Sequence, residues 1–472
     1  MAILRKKGDY SVDMTTGPVL PALMAMAIPL AVSSVLQMLF TAADLVVVGN
    51  FASEHSLAAV GSTNVLVHFA VTFFIGLSIG ANVLVSRLLG AGDSERAHAA
   101  VQTSIGLSVI SGAVMTVAGI VMARQALEWM QSPLETIDLA TLYVQVYSAG
   151  MIPIMVYNFG SAVLRSMGDS KRPLYYLAFA GVVNVALNLV FVIVFKMDVA
   201  GVALATTISQ YVSAFLVVRL LVNESGVFHL DLSKIWPERG ASLMILRIGV
   251  PAGFQGVVFS LSNLVIQSSI NGFGPVAMAG SAAAQNLEGF VWLTMNAFTQ
   301  CALTMMSQNL GAKKYSRLNR VAWVSCACAA GSGFILGNLI NCFGATLLGI
   351  FDQRTEVIEA GMVRVFYVCG FYWLCGLMDC ICGAVRGLGH NTTPTVVSLL
   401  GACGTRIVWI LTFFQIPKYH TESVLFWSYP GSWTLTLLVH LGCYVVMRRA
   451  FPRHDEDRGD VREASGSVVQ KA

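Results

Sequence analysis

Charge is what this sequence has least of. Of its 472 residues, 11% are Asp, Glu, Lys or Arg, against about 25% in an ordinary soluble domain. With 56% hydrophobic residues and a mean hydropathy of +0.70, the chain cannot clothe a surface for water, so its surroundings are a lipid bilayer. The first 300 residues contain no cysteine, and all ten lie at 301 or beyond. Cys326 and Cys328, like Cys380 and Cys382, are two apart, which points them to nearly opposite faces of a helix. That spacing argues against a metal chelate or a disulfide framework and for reduced thiols packed as small hydrophobes. No G-x-x-x-x-G-K-[ST] and no H-E-x-x-H is present, so neither an ATPase nor a metal hydrolase is expected. With no catalytic constellation, the chain is not expected to be an enzyme, and nothing marks a nucleic-acid partner. The polar, basic start lacks a short apolar core with a small-residue cleavage site, so no signal peptide is expected.

What is present is a series of apolar runs of about 20 residues, the length of a helix that crosses about 30 Å of hydrocarbon. They lack the apolar/polar alternation of barrel strands. Twelve spans are expected: 21–49, 57–86, 98–122, 139–163, 173–195, 199–222, 243–271, 276–307, 319–343, 358–383, 395–416 and 424–447. With the N-terminus inside, the inner segments hold 23 Lys and Arg residues and the outer segments four (Arg124, Lys196, Arg354, Lys418). That bias places both termini in the cytoplasm. The tail 448–472 is charged and rich in small residues, and is expected to be disordered.

The chain also repeats itself. "SRLLGAGDSERA" (86–97) answers "SQNLGAKKYSRL" (307–318), and "RSMGDSKRP" (165–173) answers "RGLGHNTTP" (386–394), both 221 residues apart. "AIPLA" (27–31) answers "GVPAG" (249–253) at 222. Six spans per repeat return the chain to the same side, so the repeats share one topology and an axis along the membrane normal relates them. The expected organisation is an all-α membrane protein of twelve transmembrane helices in two six-helix lobes related by a pseudo-two-fold. Residues 1–20 form an N-terminal segment, 21–222 the first lobe, 223–242 a cytoplasmic linker and 243–447 the second lobe. Such a duplicated bundle suits alternating access around a central cavity. With no ATPase, transport would draw on an ion gradient.

Ionisable groups inside a bilayer are costly and mark pathways or coupling sites. Asp44 stands in "LFTAADLVVVGN", about 22 Å along the helix from Pro29. Gln37, Thr41 and Asp44 are spaced by four and three and share a helix face. Asp44 is read as a proton or Na⁺ site, as a permanent anion for a hard cation, or as a counter-ion for a cationic substrate. The bland alternative is a cap at the outer helix end. Asn184 and Asn188 are i,i+4 and face one way, able to offer amide oxygens to a cation, to bond Asp44 or to glue helices. Thr206, Thr207, Gln210, Asn158, Asn64 and His68 read first as packing. The second half has no carboxylate at the corresponding Val265–Gln267. It carries Glu288, Asp379 and Arg406 within spans instead. A buried arginine needs a carboxylate, so Arg406 is expected to pair with Glu288 or Asp379. Arg165 and Arg386 in the repeated loops read as anchors to the anionic inner surface.

The stretches "IPLAVSSVLQMLFTAADLVVVGNF", "GANVLVSRLLGAGDSERA", "YNFGSAVLRSMGDSKRPLYY", "GVVNVALNLVFVI", "GVALATTISQ" and "GAVRGLGHNTTPTVVSLLGACGTRIVWI" resemble the MATE (multidrug and toxic compound extrusion) transporters, in the branch of MepA and DinF. The resemblance implies two six-helix lobes forming a V-shaped cavity in a bacterial cytoplasmic membrane. It implies export of small, often cationic, organic compounds in exchange for H⁺ or Na⁺, with no cofactor besides that ion. It places the branch's cation site, including any Na⁺, on Asp44, Asn184 and Thr206. Where relatives often carry a second aspartate, this chain has Asn188. The other branch's carboxylate pair has no counterpart here. The alternative from a different class is a flippase for a lipid-linked or polysaccharide precursor, although basic groups within spans are few. The lobes are self-sufficient, so a monomer is expected.

Overall fold

The computed structural model describes residues 10–51, 54–130, 132–133 and 135–455. The expectations for 1–9 and 456–472 lie outside the described residues. All elements among the described residues are helical. The first half contains α1 (Val19–Phe51), α2 (Glu54–Ala91), α3 (Ser94–Trp129), α4 (Ile137–Ser148), α5 (Met151–Ser166), α6 (Lys171–Asn188) and α7 (Asp198–Asn223). The second contains α8 (Arg239–Asn271), α9 (Pro275–Gly311), α10 (Tyr315–Leu348), α11 (Thr355–Cys369), α12 (Tyr372–Gly387), α13 (Thr392–Ser398), α14 (Thr405–Leu411) and α15 (Glu422–Arg449).

Nine helical runs among the described residues are long and apolar enough to cross a membrane, and eleven if each bent pair counts as one span. The twelfth rod is α9. It is less apolar because protein surrounds it, with Glu288, Thr304, Ser307 and Asn309 all buried. Two spans expected to be continuous are broken. The 139–163 run bends by 45° between α4 and α5, and the 358–383 run by 41° between α11 and α12. Pro153 explains the first bend: it has no N–H for the carbonyl of Ala149, four residues back. Tyr211 Oη donates to that oxygen instead, at 3.3 Å. The second break falls at Gly370, a residue that holds helical backbone weakly. Wide π-helical turns follow α6 (Leu189–Val194) and α13 (Leu399–Gly404).

The halves meet through small residues. Gly76 and Gly80 on α2 face Gly249 and Gly253 on α8, both pairs spaced as G-x-x-x-G. A Cβ on Gly76 would stand 2.2 Å from the Gly253 Cα. Only glycine permits that approach, which trades side chains for backbone contact as membrane helices do. The start of α1 joins the second half: Val19, Leu23 and Met26 share a buried cluster with Met305, Leu318 and Ile381.

At the end that carries most of the Lys and Arg residues, called here the basic end, the contacts obey the 221-residue repeat. A Cβ on Gly90 would lie 2.0 Å from Gln308 O, and one on Gly311 would lie 2.0 Å from Arg87 O. Arg87 Nη2 donates to Gly387 O at 3.4 Å, and Gln308 Nε2 donates to Ser166 O at 3.5 Å. Residues 87 and 308, like 166 and 387, are 221 apart, so each contact is the image of its partner. The segment before α1 straps both halves there. Val12 N donates to Gly168 O (3.2 Å). Asn309 Nδ2 donates to Met14 O (2.9 Å) and Arg317 Nη1 to Gly17 O (2.8 Å). Met14 is fully buried.

Candidate cation site and the family it belongs to

Asp44 is the only carboxylate away from a helix end among the described helices of the first half. It projects from α1 onto the last turn of α6. Asn188 Nδ2 donates to Asp44 Oδ1 at 2.5 Å and to Asn184 Oδ1 at 3.4 Å. Thr206 Oγ1, from α7, donates to Asp44 Oδ2 at 3.5 Å and accepts from Asn184 Nδ2 at 3.3 Å. Three helices thus converge on one carboxylate, and Asn188 is the last residue before a π turn. Such wide turns re-aim side chains at functional sites.

The donor set is oxygen-rich: the two carboxylate oxygens, Asn184 Oδ1, Thr206 Oγ1 and Asn188 Oδ1. The last is buried and has no hydrogen-bond partner. An orphaned buried acceptor is costly, and a hard cation prefers oxygen ligands. A single carboxylate also holds one proton. The chemistry fits either monovalent cation. No cluster of three His, Cys, Asp or Glu side chains suited to a transition metal exists among the described residues.

Gln37 and Thr41 lie on the Asp44 side of α1 but are exposed, and the Thr41 hydroxyl bonds back to Gln37 O. The structure leaves them outside the bonded set. Asn158 and Thr207 spend their donors on the carbonyls of Ile154 and Val146. His68 is exposed, and the side chain of Asn64 lies outside the described residues. Sequence reasoning missed Tyr143 and Tyr147. Their rings stack at 6.0 Å, and they pack with Val47 and Val48 of α1. Their i,i+4 spacing was the available signal.

The second half corrects the expected pairing of Arg406. Glu288 pairs with Arg364, which reaches it in a fork of 2.7 and 2.9 Å and also donates to Ser281 Oγ at 2.7 Å. The reason is lateral: α9 and α11 are packed neighbours. Arg406 donates only Nε, to Ser432 Oγ at 2.9 Å, and lies over the Tyr429 ring at 4.3 Å. Asp379 is half-buried and accepts a weak bond from the Cys375 thiol at 3.8 Å. Arg386 is not a surface anchor. It is buried, and its Nη2 donates to Gln255 Oε1 at 2.6 Å and to Thr395 Oγ1 at 3.2 Å, because α12 turns its last-turn residues inward.

A family model settles the relationship. The MatE model matches residues 29–190 and again 251–412, two segments that start 222 residues apart and together cover over half the chain. This chain belongs to the MatE family. YpnP of Bacillus subtilis, called a probable multidrug resistance protein, is 28% identical over 405 residues, which is 85% of this chain and 88% of that protein. The multidrug export protein MepA of Staphylococcus saprophyticus is 21% identical over 384 residues, 81% of this chain and 84% of that one. A crystal structure of MATE in complex with MaL6 superposes with a TM-score of 0.87 at 19% identity, covering 94% of this chain and 99% of that one. That likeness shows the MATE fold, all-α and multi-pass among the described residues.

Proposed function

We propose that this MatE member is an efflux antiporter for small organic compounds, often cationic, driven by entry of one H⁺ or Na⁺ at Asp44. The observation that carries the reading is the convergence of Asp44 with Asn184, Asn188 and Thr206, including the orphaned amide oxygen of Asn188. An unneutralised carboxylate in a bilayer is costly, so Asp44 favours a bound cation. Coupling ion and cationic cargo compete for one charge, and that competition links their movements. The stacked Tyr143 and Tyr147 add aromatic faces of the kind organic cations prefer. The names of YpnP and MepA support multidrug export.

In this reading the basic end faces the cytoplasm of a bacterial inner membrane, with both termini there. The bodies 21–222 and 243–447 rock as units, a single chain is the working transporter, and no cofactor is needed. The test is ethidium efflux from proteoliposomes under imposed H⁺ and Na⁺ gradients in turn, comparing the parent with Asp44→Asn. Gradient-driven efflux that the substitution abolishes supports the reading, and the effective gradient names the ion. Equal transport by Asp44→Asn removes Asp44 from the mechanism. No transport of any organic cation under either gradient turns attention to lipid-linked cargo.

A further inference from the structure

The second half holds a surplus of positive charge that nothing among the described residues neutralises. Arg364 is matched by Glu288. Arg386 and Arg406 remain, and Asp379 is the other carboxylate set deep in a span of this half among the described residues; it makes no ion pair with either. Two permanent cations and one acid leave a deficit of one negative charge. Burial sharpens the deficit, since Arg406 is 3% exposed and a guanidinium does not deprotonate.

Arg406 is also shaped for a ligand. Ser432 takes its Nε, while its two Nη groups, the fork that suits a carboxylate, donate to nothing among the described residues. Aromatic rings surround it: Tyr429 at 4.3 Å, Trp433 at 5.7 Å, and Tyr372 beyond, 5.3 Å from Trp433. Asp379, on α12, is half-buried. The repeat gives an independent argument. At the 221-residue offset, Arg406 corresponds to Val185, the neighbour of Asn184 in the cation site. The same level of the fold that gathers a carboxylate and amide oxygens in one half presents a guanidinium in the other.

We infer that the Arg406 guanidinium on α14, with the rings of Tyr429 and Trp433 on α15 beside it, is a binding site for an organic anion, a carboxylate carried on an aromatic frame, with Arg406 as its charge partner. The site stands apart from the reading of Asp44 and does not depend on which ion drives transport.

The experiment measures calorimetric binding of 2-naphthoate to the full chain in lipid nanodiscs, beside its neutral counterpart 2-naphthamide and beside chloride. The parent binds naphthoate at least about tenfold more tightly than naphthamide, the worth of one charge-assisted fork. Arg406→Gln loses that preference and Arg406→Lys keeps part of it. Both variants elute as the parent does on size exclusion and melt at the parent's temperature, which shows that they are folded. Equal binding of naphthoate and naphthamide by the parent overturns the inference even if no variant folds. So does undiminished naphthoate binding by folded Arg406→Gln, and so does binding of chloride with no organic anion.

Discussion

Replacing Gly90 by alanine tests whether the crossing at the basic end is the gate. The new Cβ would stand 2.0 Å from Gln308 O, where ordinary contact begins at 3.4 Å. The neighbour is helix backbone, so α2 and α9 must separate by about 1.4 Å or the methyl group is not accommodated. Overpacking of this kind costs about 1–3 kcal/mol, and about 1.4 kcal/mol is tenfold in a population. That cost falls only on the conformation in which the basic end is shut. Spin labels at the exposed positions Arg96 and Arg320 read the separation of the halves. The expected result for Gly90→Ala is about a tenfold or greater rise in the long-distance population, with Gly311→Ala, the image position, behaving alike. Gly331→Ala has nothing within 4 Å and leaves the distribution as it was. A folded Gly90→Ala protein with the parent's distance distribution refutes the gate.

Asn188→Asp is expected to be tolerated and to strengthen cation binding, since it places a second carboxylate beside Asp44; weaker Na⁺ or H⁺ binding by titration calorimetry counts against the site. Arg364→Met strands Glu288 in the second half and costs about 3–5 kcal/mol, seen as a lower melting temperature, while Glu288→Gln with Arg364→Met recovers much of it. No recovery in the double variant means that the pair is not the coupled unit. Burial pushes the Asp13 carboxyl up, but bonds from the hydroxyl and amide groups of Thr16 and Thr15 outweigh it and hold it below the usual 3.8. A depressed folded value contributes stability above the unfolded pKa that is lost as pH falls through the folded one. A fluorophore at Tyr10→Cys should therefore report a docked strap at about pH 5 and release only below about 3.8; release near pH 6 contradicts the bonding seen.

The rods were legible because their lengths are set by the bilayer. Expected 199–222 became Asp198–Asn223, and 319–343 became Tyr315–Leu348. The bends were not: Pro153 breaks its span while Pro29 and Pro251 sit inside the unbroken α1 and α8, and Gly370 lies in a run as apolar as the helices it joins. The cation cluster was legible from two features: a lone acid and an i,i+4 amide pair. Spacing says which side chains share a face, but not how wide an arc the neighbouring helix covers. That is why Gln37 and Thr41 stand on the stripe of Asp44 and outside its bonds. Arg364 and Arg406 looked alike in sequence, each one arginine in an apolar run. Which of them meets Glu288 depends on which helix lies beside α9, and hydropathy carries no information about that.

Asn82 on α2 meets Thr304 on α9, with the threonine hydroxyl donating to the amide oxygen at 2.9 Å. The 221-residue image of that pair is Val83 with Leu303, and those two pack together with Ile248. In an ancestor built from two copies of one six-helix chain, both contacts would have had the same chemistry, because a two-fold axis cannot tell its sides apart. Fusion removed that restriction: one crossing became a polar peg and the other a greasy bearing. A carrier made of two unlike halves can also take different cargo charges on each side, which a symmetric pair of half-length chains could not do.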